Sequence, residues 1–232
     1  MKLIIISRED FFADEANWIN ALLAIDSNIL LHLRKPNSNI GQVEALLKGI
    51  KPAFYSQIVL HDHFYLAYKF SLKGVHLNSR CSKCEDAIPS GEDRTAVVRY
   101  FENCSISRSC HSFEEVLQYK GRCSYVTLSP IFDSISKNGY SAAFSDKELV
   151  DASKKGVIDH KVVALGGIAP DNIAKIKEFG FGGAALLGSI WKCRSLDEAQ
   201  IKLPNYILEY TKLNFWKIVN INPISTNKFL DT

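Results

Sequence analysis

The chain has no run of about 18 apolar residues, the length that would cross a bilayer as a helix. Its opening, Met1-Lys2 followed by LIIIS, is too short for the apolar core of a secretory signal and has no small-residue cleavage site. No membrane association is therefore expected, and the cytoplasm is the expected compartment. Charge of one sign is also scarce. There are 28 Lys and Arg against 25 Asp and Glu, a net charge of +3, and no basic stripe gathers them. That argues against nucleic acid as a partner. No GxGxxG follows the first strand-like segment, which counts against a dinucleotide-binding sheet. Six cysteines are present, but only Cys81 and Cys84 form a CxxC, and no second pair stands at zinc-ribbon spacing. In a reducing compartment free thiols are the default.

What is present is an alternation of short apolar strands with amphipathic helices over 232 residues, the size of one α/β domain. The most informative stretch is Lys161 to Trp191. Lys161–Leu165 is β-branched and apolar without alternation, as in a parallel strand buried on both faces. Gly166 and Gly167 turn the backbone, Pro170 and Asp171 suit a first helical turn, and Ile173, Ile176 and Phe179 make an apolar stripe. Gly180 stops that helix, and Gly183–Leu187 is a second strand running into Gly188-Ser189. Two such turns in succession, rich in small residues with free N–H groups, suit a phosphate.

Six further strands precede them, at 2–7, 28–33, 57–60, 74–78, 104–109 and 124–128. Helices are expected at Asp14–Ile25, through Val43–Leu47, from about Ser112, at Asp146–Lys155 and at Ser195–Leu213. Ser112 with Glu115 has the spacing of a capping box. Residues 79–103 are polar and are expected to form a long loop with at most one helix, a cover over the site. Eight strand–helix steps predict a (β/α)8 barrel, with residues 1–213 as the barrel and 214–232 as a peripheral tail.

In such a barrel the reactive groups stand at the C-terminal ends of the strands. There the sequence places His32 and Arg34, His61 and Asp62, His76 and Asn78, Ser109 and His111, and Ser134, Ser136 and Lys137. Histidines suit proton movement near neutral pH, and Arg34 and Lys137 suit a phosphate or carboxylate. His76, between Val75 and Leu77, reads equally as a core histidine or as a site residue. His32, His61 and Asp62 also offer donors for a divalent ion.

In order and spacing, HLRK at 32–35, HD at 61–62, GVHL at 74–77, SCHS at 109–112, SPIFDSISK at 129–137, ALGGI at 164–168 and GSI at 188–190 resemble the thiamine phosphate synthase/TenI family of barrels. The resemblance runs from Lys2 to about Leu213. For the synthase branch it implies a thiazole phosphate held by Gly167 and the Gly188-Ser189 turn, with Ser134, Ser136 and Lys137 beside it. Arg34 and Ser109 would meet the pyrophosphate of a pyrimidine substrate, and Asp62 would be a magnesium ligand. The chain departs from that branch in three places. QLREK becomes His32-Leu33-Arg34-Lys35-Pro36, Asn-Asp becomes His61-Asp62, and the second magnesium aspartate falls at Cys81.

The TenI branch aromatises the thiazole by moving a proton and needs no magnesium. It implies His111 as the proton carrier, assisted by His32 or His61, with Arg34 on a carboxylate. The missing aspartate puts this tautomerase ahead of a magnesium-dependent synthase, with a non-catalytic thiazole or thiamine phosphate-binding barrel third. Lys35, Arg80 or Asp86 could replace missing charge. A homodimer is left open.

Overall fold

The computed structural model describes residues 2–78, 93–133 and 142–219, with side chains through Tyr210. Eight parallel strands close into a barrel in sequence order. They are β1 (Lys2–Ile6), β2 (Ile29–Leu33), β3 (Ile58–Leu60), β4 (Gly74–Leu77), β5 (Ser105–Cys110), β6 (Tyr125–Leu128), β7 (Val162–Leu165) and β8 (Gly183–Leu186). Around them run α1 (Glu15–Leu23), α2 (Ile40–Gly49), α3 (Tyr65–Lys69), α4 (Arg94–Asn103), α5 (Phe113–Tyr119), α6 (Asp146–Lys154), α7 (Ile173–Glu178), α8 (Gly188–Trp191) and α9 (Leu196–Val219). The last helix continues past Leu213 into the expected tail, and the rest of that tail lies outside the described residues. Residues 79–92 of the expected cover also lie outside them, and 94–103 form α4.

Apart from the partly exposed β5, the strands are largely buried on both faces, so the apolar residues divide into two sets. One set, including Leu31, Leu60, Val75, Val126 and Leu186, faces outward to the helices. The other, Ile4, Ile6, Leu30, Tyr125, Val163 and Ala185, is a separate cluster that fills the barrel. Side chains alternate along a strand, so each strand sends one further residue inward above this cluster. The register decides which residues meet there. His76 lies opposite Ser107, Ser109 opposite Thr127, and Val59 opposite Gly74, which brings His61 beside His76 two residues on.

Local signals in the sequence set several of the turns that carry the site. Asn39 with Gln42 and Ser145 with Glu148 form full capping boxes at α2 and α6. Ser112 accepts from the Glu115 N–H as expected, but the Glu115 carboxylate reaches one residue further and accepts from the His111 N–H at 2.6 Å. The assigned α7 begins after Pro170, yet the Ile173 N–H bonds the Ala169 carbonyl, so Pro170 still sits in the first hydrogen-bonded turn.

Gly166 and Gly167 take φ of 101° and 65°. A Cβ on Gly167 would lie 2.3 Å from the Asp133 carbonyl oxygen. The close approach these glycines permit is to the chain's own loop after β6. We therefore expect Gly167→Ala to destabilise the fold by about 2–4 kcal/mol, from left-handed strain plus overlap. Urea unfolding would read this as a lower midpoint, and an unchanged midpoint would refute the packing account.

Candidate active site

The level above the inner cluster is the floor of a pocket of about 390 Å³ at the C-terminal end of the barrel. Its polar side comes from neighbouring strands: His32 on β2, His61 just past β3, His76 on β4, Ser109 on β5 and Thr127 on β6. Its apolar side is Leu165, Leu187 and Ile6, contributed at β7, β8 and β1. The pocket is thus two-sided, with imidazoles and hydroxyls facing an aliphatic half.

The three floor histidines are packed together. The His32 Nδ1 is 2.8 Å from the His61 Nε2, and the His32 Nε2 is 2.6 Å from the Tyr125 hydroxyl. One polarity that satisfies these groups runs from the Tyr125 O–H to His32, and from the His32 N–H to His61. The His61 and His76 rings stack at 4.3 Å. His76 is held at Nδ1 by the Ser107 hydroxyl at 2.9 Å and at Nε2 by the Ser109 hydroxyl at 2.8 Å. Loss of hydration disfavours the charged rings. Burial holds His32 well below the ordinary 6.5, with His76 adding to the effect, and pushes His76 down to about 3, with Arg108 adding to it. Both are neutral at physiological pH. From sequence His76 reads equally as core or site, and Tyr125 and Thr127 read as core. Their signal was polar residues two apart on strands otherwise apolar.

The rim is charged. Arg34, just past β2 and half-buried, pairs with Glu9 at 2.5 Å. His111 is exposed, and its Nδ1 lies 3.2 Å from the Ser129 carbonyl. A carbonyl only accepts, so Nδ1 carries the proton and Nε2 the lone pair in the neutral ring. Gly167 sits in the turn after β7. Gly188 and Ser189 open α8, where first-turn N–H groups have no partner within the helix. The Ser189 side chain is buried, so the backbone rather than the hydroxyl is what this turn offers a ligand. Ser134, Ser136 and Lys137, like Arg80, Cys81, Cys84 and Asp86, lie outside the described residues.

Asp62 does not join the histidines. It is half-buried, and its Oδ2 accepts from the Lys35 N–H at 3.3 Å. The group of described residues that brings nitrogen donors together is His32, His61 and His76, in place of the expected His32, His61 and Asp62. Asp62 still fits magnesium in its sparse form, one carboxylate completed by phosphate oxygens and water.

Lys35 supplies no charge to the pocket. Its ammonium is 1% exposed and sits 2.7 Å from Glu15, itself 3% exposed, and 2.7 Å from the Asp10 carbonyl. Burial pushes the Glu15 carboxyl up and the Lys35 ammonium down, and each partner opposes the shift of the other. The pair anchors the loop that carries Arg34 and the N–H that holds Asp62. Removing one member of a buried pair leaves the other uncompensated. Glu15→Ala should cost about 3–5 kcal/mol in chemical denaturation, and Glu15→Leu with Lys35→Met should restore most of it. Equal stability of Glu15→Ala and the parent would contradict the pairing.

The sequence matches the profile of the family described as thiamine monophosphate synthase over residues 3–190. A thiamine-phosphate synthase of Bacteroides thetaiotaomicron is 30% identical over 185 residues, covering 74% of this chain and 81% of that protein. One from Photorhabdus laumondii is 28% identical over 209 residues, covering 86% and 89%. The crystal structure of a thiamine phosphate pyrophosphorylase from B. thetaiotaomicron superposes with a TM-score of 0.74 at 35% identity, over 90% of this chain and 97% of that one. Since the profile spans almost the whole barrel and the barrel itself is shared, the chain belongs to the thiamine phosphate synthase/TenI family of barrel enzymes.

Proposed function

We propose that the chain is a thiamine phosphate synthase, joining a pyrimidine pyrophosphate to a thiazole phosphate with release of pyrophosphate. The relatives' names favour this reading over the tautomerase that the missing aspartate suggested. The observation that carries it in the structure is the two-sided pocket. A synthase must hold two different molecules, each with its own anion. The aliphatic half formed by Leu165, Leu187 and Ile6 borders the β7 and β8 turns, and it suits a thiazole whose phosphate meets the N–H groups of Gly167, Gly188 and Ser189. The polar half lies below Arg34, and it suits a pyrimidine whose pyrophosphate meets Arg34 and Ser109.

In this reading Arg34 exchanges its Glu9 partner for the pyrophosphate as the substrate enters. The floor histidines are hydrogen-bonded and offer donors and acceptors to the pyrimidine, and burial keeps His32 and His76 from adding a charge. The pocket wall keeps both molecules within reach of one another, which is where much of the rate gain arises. The family resemblance assigns Ser134, Ser136 and Lys137, which lie outside the described residues, to the thiazole phosphate as well. Asp62 would hold magnesium, which when bound supplies positive charge to the leaving pyrophosphate.

His111 supports the tautomerase as a second reading. Its Nε2 lone pair stands at the pocket rim, with its ring braced by Ser129 and its backbone by Glu115.

Purified chain given both substrates should release pyrophosphate and form thiamine phosphate in equal amounts only with magnesium present. Arg34→Ala should lower the rate by about 100-fold. Aromatisation of the non-aromatic thiazole carboxylate with no thiamine phosphate formed, and its loss in His111→Ala, would replace this reading with the tautomerase.

A further inference from the structure

We propose that His32, His61 and His76 form a binding site for a transition-metal dication of the zinc class on the pocket floor, separate from the magnesium expected at Asp62. The three rings offer one ligand nitrogen each, all within 4.8 Å of one another. The set is three imidazoles with no carboxylate, which suits zinc, cobalt, nickel or copper and is poor for magnesium. Two of the nitrogens already face each other across one shared proton, His32 Nδ1 and His61 Nε2 at 2.8 Å. A dication takes the place of that proton, since both nitrogens can then give lone pairs. Around a tetrahedral zinc the nitrogens stand about 3.4 Å apart, from Zn–N lengths of about 2.0–2.1 Å. The facing pair therefore opens slightly, and the third ring closes by a movement on the order of 1 Å.

The outer contacts are those of a metal site. A coordinating imidazole needs its second nitrogen held, which fixes the tautomer. Tyr125 holds the His32 Nε2 at 2.6 Å, and with Nδ1 on the ion the proton moves to Nε2 and donates to the phenol oxygen. Ser107 holds the His76 Nδ1 at 2.9 Å, and the Nε2 that would ligate the ion gives up its 2.8 Å bond to the Ser109 hydroxyl, which lines the pocket. A hydrogen-bonded core would explain those hydroxyls, but it does not require three imidazoles to converge.

A second observation points to a ligand at the same place. Thr127 lines the pocket beside the histidines, is 1% exposed, and its Oγ1 has no hydrogen-bond partner among the described residues. Three protein donors leave a coordination position open, and the Thr127 hydroxyl is placed to bond whatever fills it. Neutral ligands leave the ion its full double charge. The fourth ligand is therefore water or hydroxide, whose oxygen the double charge favours.

The test uses full-length protein treated with a chelator, then titrated with cobalt(II) in the absence of substrates. The expected result is one cobalt per chain, with the visible absorption of a four-coordinate, nitrogen-ligated ion and no thiolate charge-transfer band. Zinc should displace it, and Cys81→Ser with Cys84→Ser should leave it unchanged. His61→Asn should weaken binding roughly 100-fold. If that variant loses its cooperative thermal transition, Tyr125→Phe provides the reading instead, with binding weakened roughly 10-fold. Absence of cobalt binding, binding intact in both variants, or binding lost with the cysteines would overturn the proposal. The readout is metal binding without turnover, so failure here is distinct from failure of the synthase reading.

Discussion

Closure of eight parallel strands is the constraint on which the rest of this molecule depends. A closed parallel sheet has an inner face as well as an outer one, and alternation sends every second side chain of a strand to a lower or an upper inner level. Below, that level is apolar, made of residues such as Ile4, Leu30 and Val163. Above, His32, His61, His76 and Ser109 are polar, and hydrogen bonds to neighbouring side chains hold them there. Tyr125, His32 and His61 form one chain of contacts, and Ser107, His76 and Ser109 another. A single charged ring in that layer would cost several kcal/mol, and burial accordingly keeps His32 and His76 neutral.

The charged groups are displaced to the rim, where each is held by a neighbour. Glu9 occupies Arg34, and Glu115 braces the backbone of His111. Beneath the first of these, the buried Lys35–Glu15 pair fixes the loop after β2, whose N–H reaches Asp62. The site is therefore built outward from a hydrogen-bonded floor to a rim where Glu9 pairs with Arg34. Substrate anions would enter by exchange with the carboxylate of a rim pair.

Most of the fold was legible because most of the buried parallel strands, β1 and β7 above all, read as apolar runs, and the glycine turns after β7 and β8 mark their ends. The eight strands fall within a residue or so of where the apolar runs place them. What the sequence hid was the register. Nothing local says that His61, past the end of β3, stacks on His76, or that Tyr125 reaches across the barrel to His32. Those contacts join residues 15 and 93 positions apart. The two glycines after β7 were legible as a turn, but their tight neighbour is the chain's own Asp133 and Phe132. Lys35 looked like an available charge because a buried ion pair leaves no mark on composition. The order of the two activities also changed. Cys81 at the position of a magnesium aspartate favoured the tautomerase, whereas the relatives favour the synthase.

The central claim is that one pocket has an aliphatic half for the thiazole and a polar half for the pyrimidine. A crystal structure of the chain with thiamine phosphate and pyrophosphate tests it most directly. The account predicts the thiazole ring over Leu165, Leu187 and Ile6, its phosphate on the N–H groups of Gly167, Gly188 and Ser189, and pyrophosphate on Arg34. A thiazole ring lying over the histidines, with its phosphate on Arg34, would contradict it.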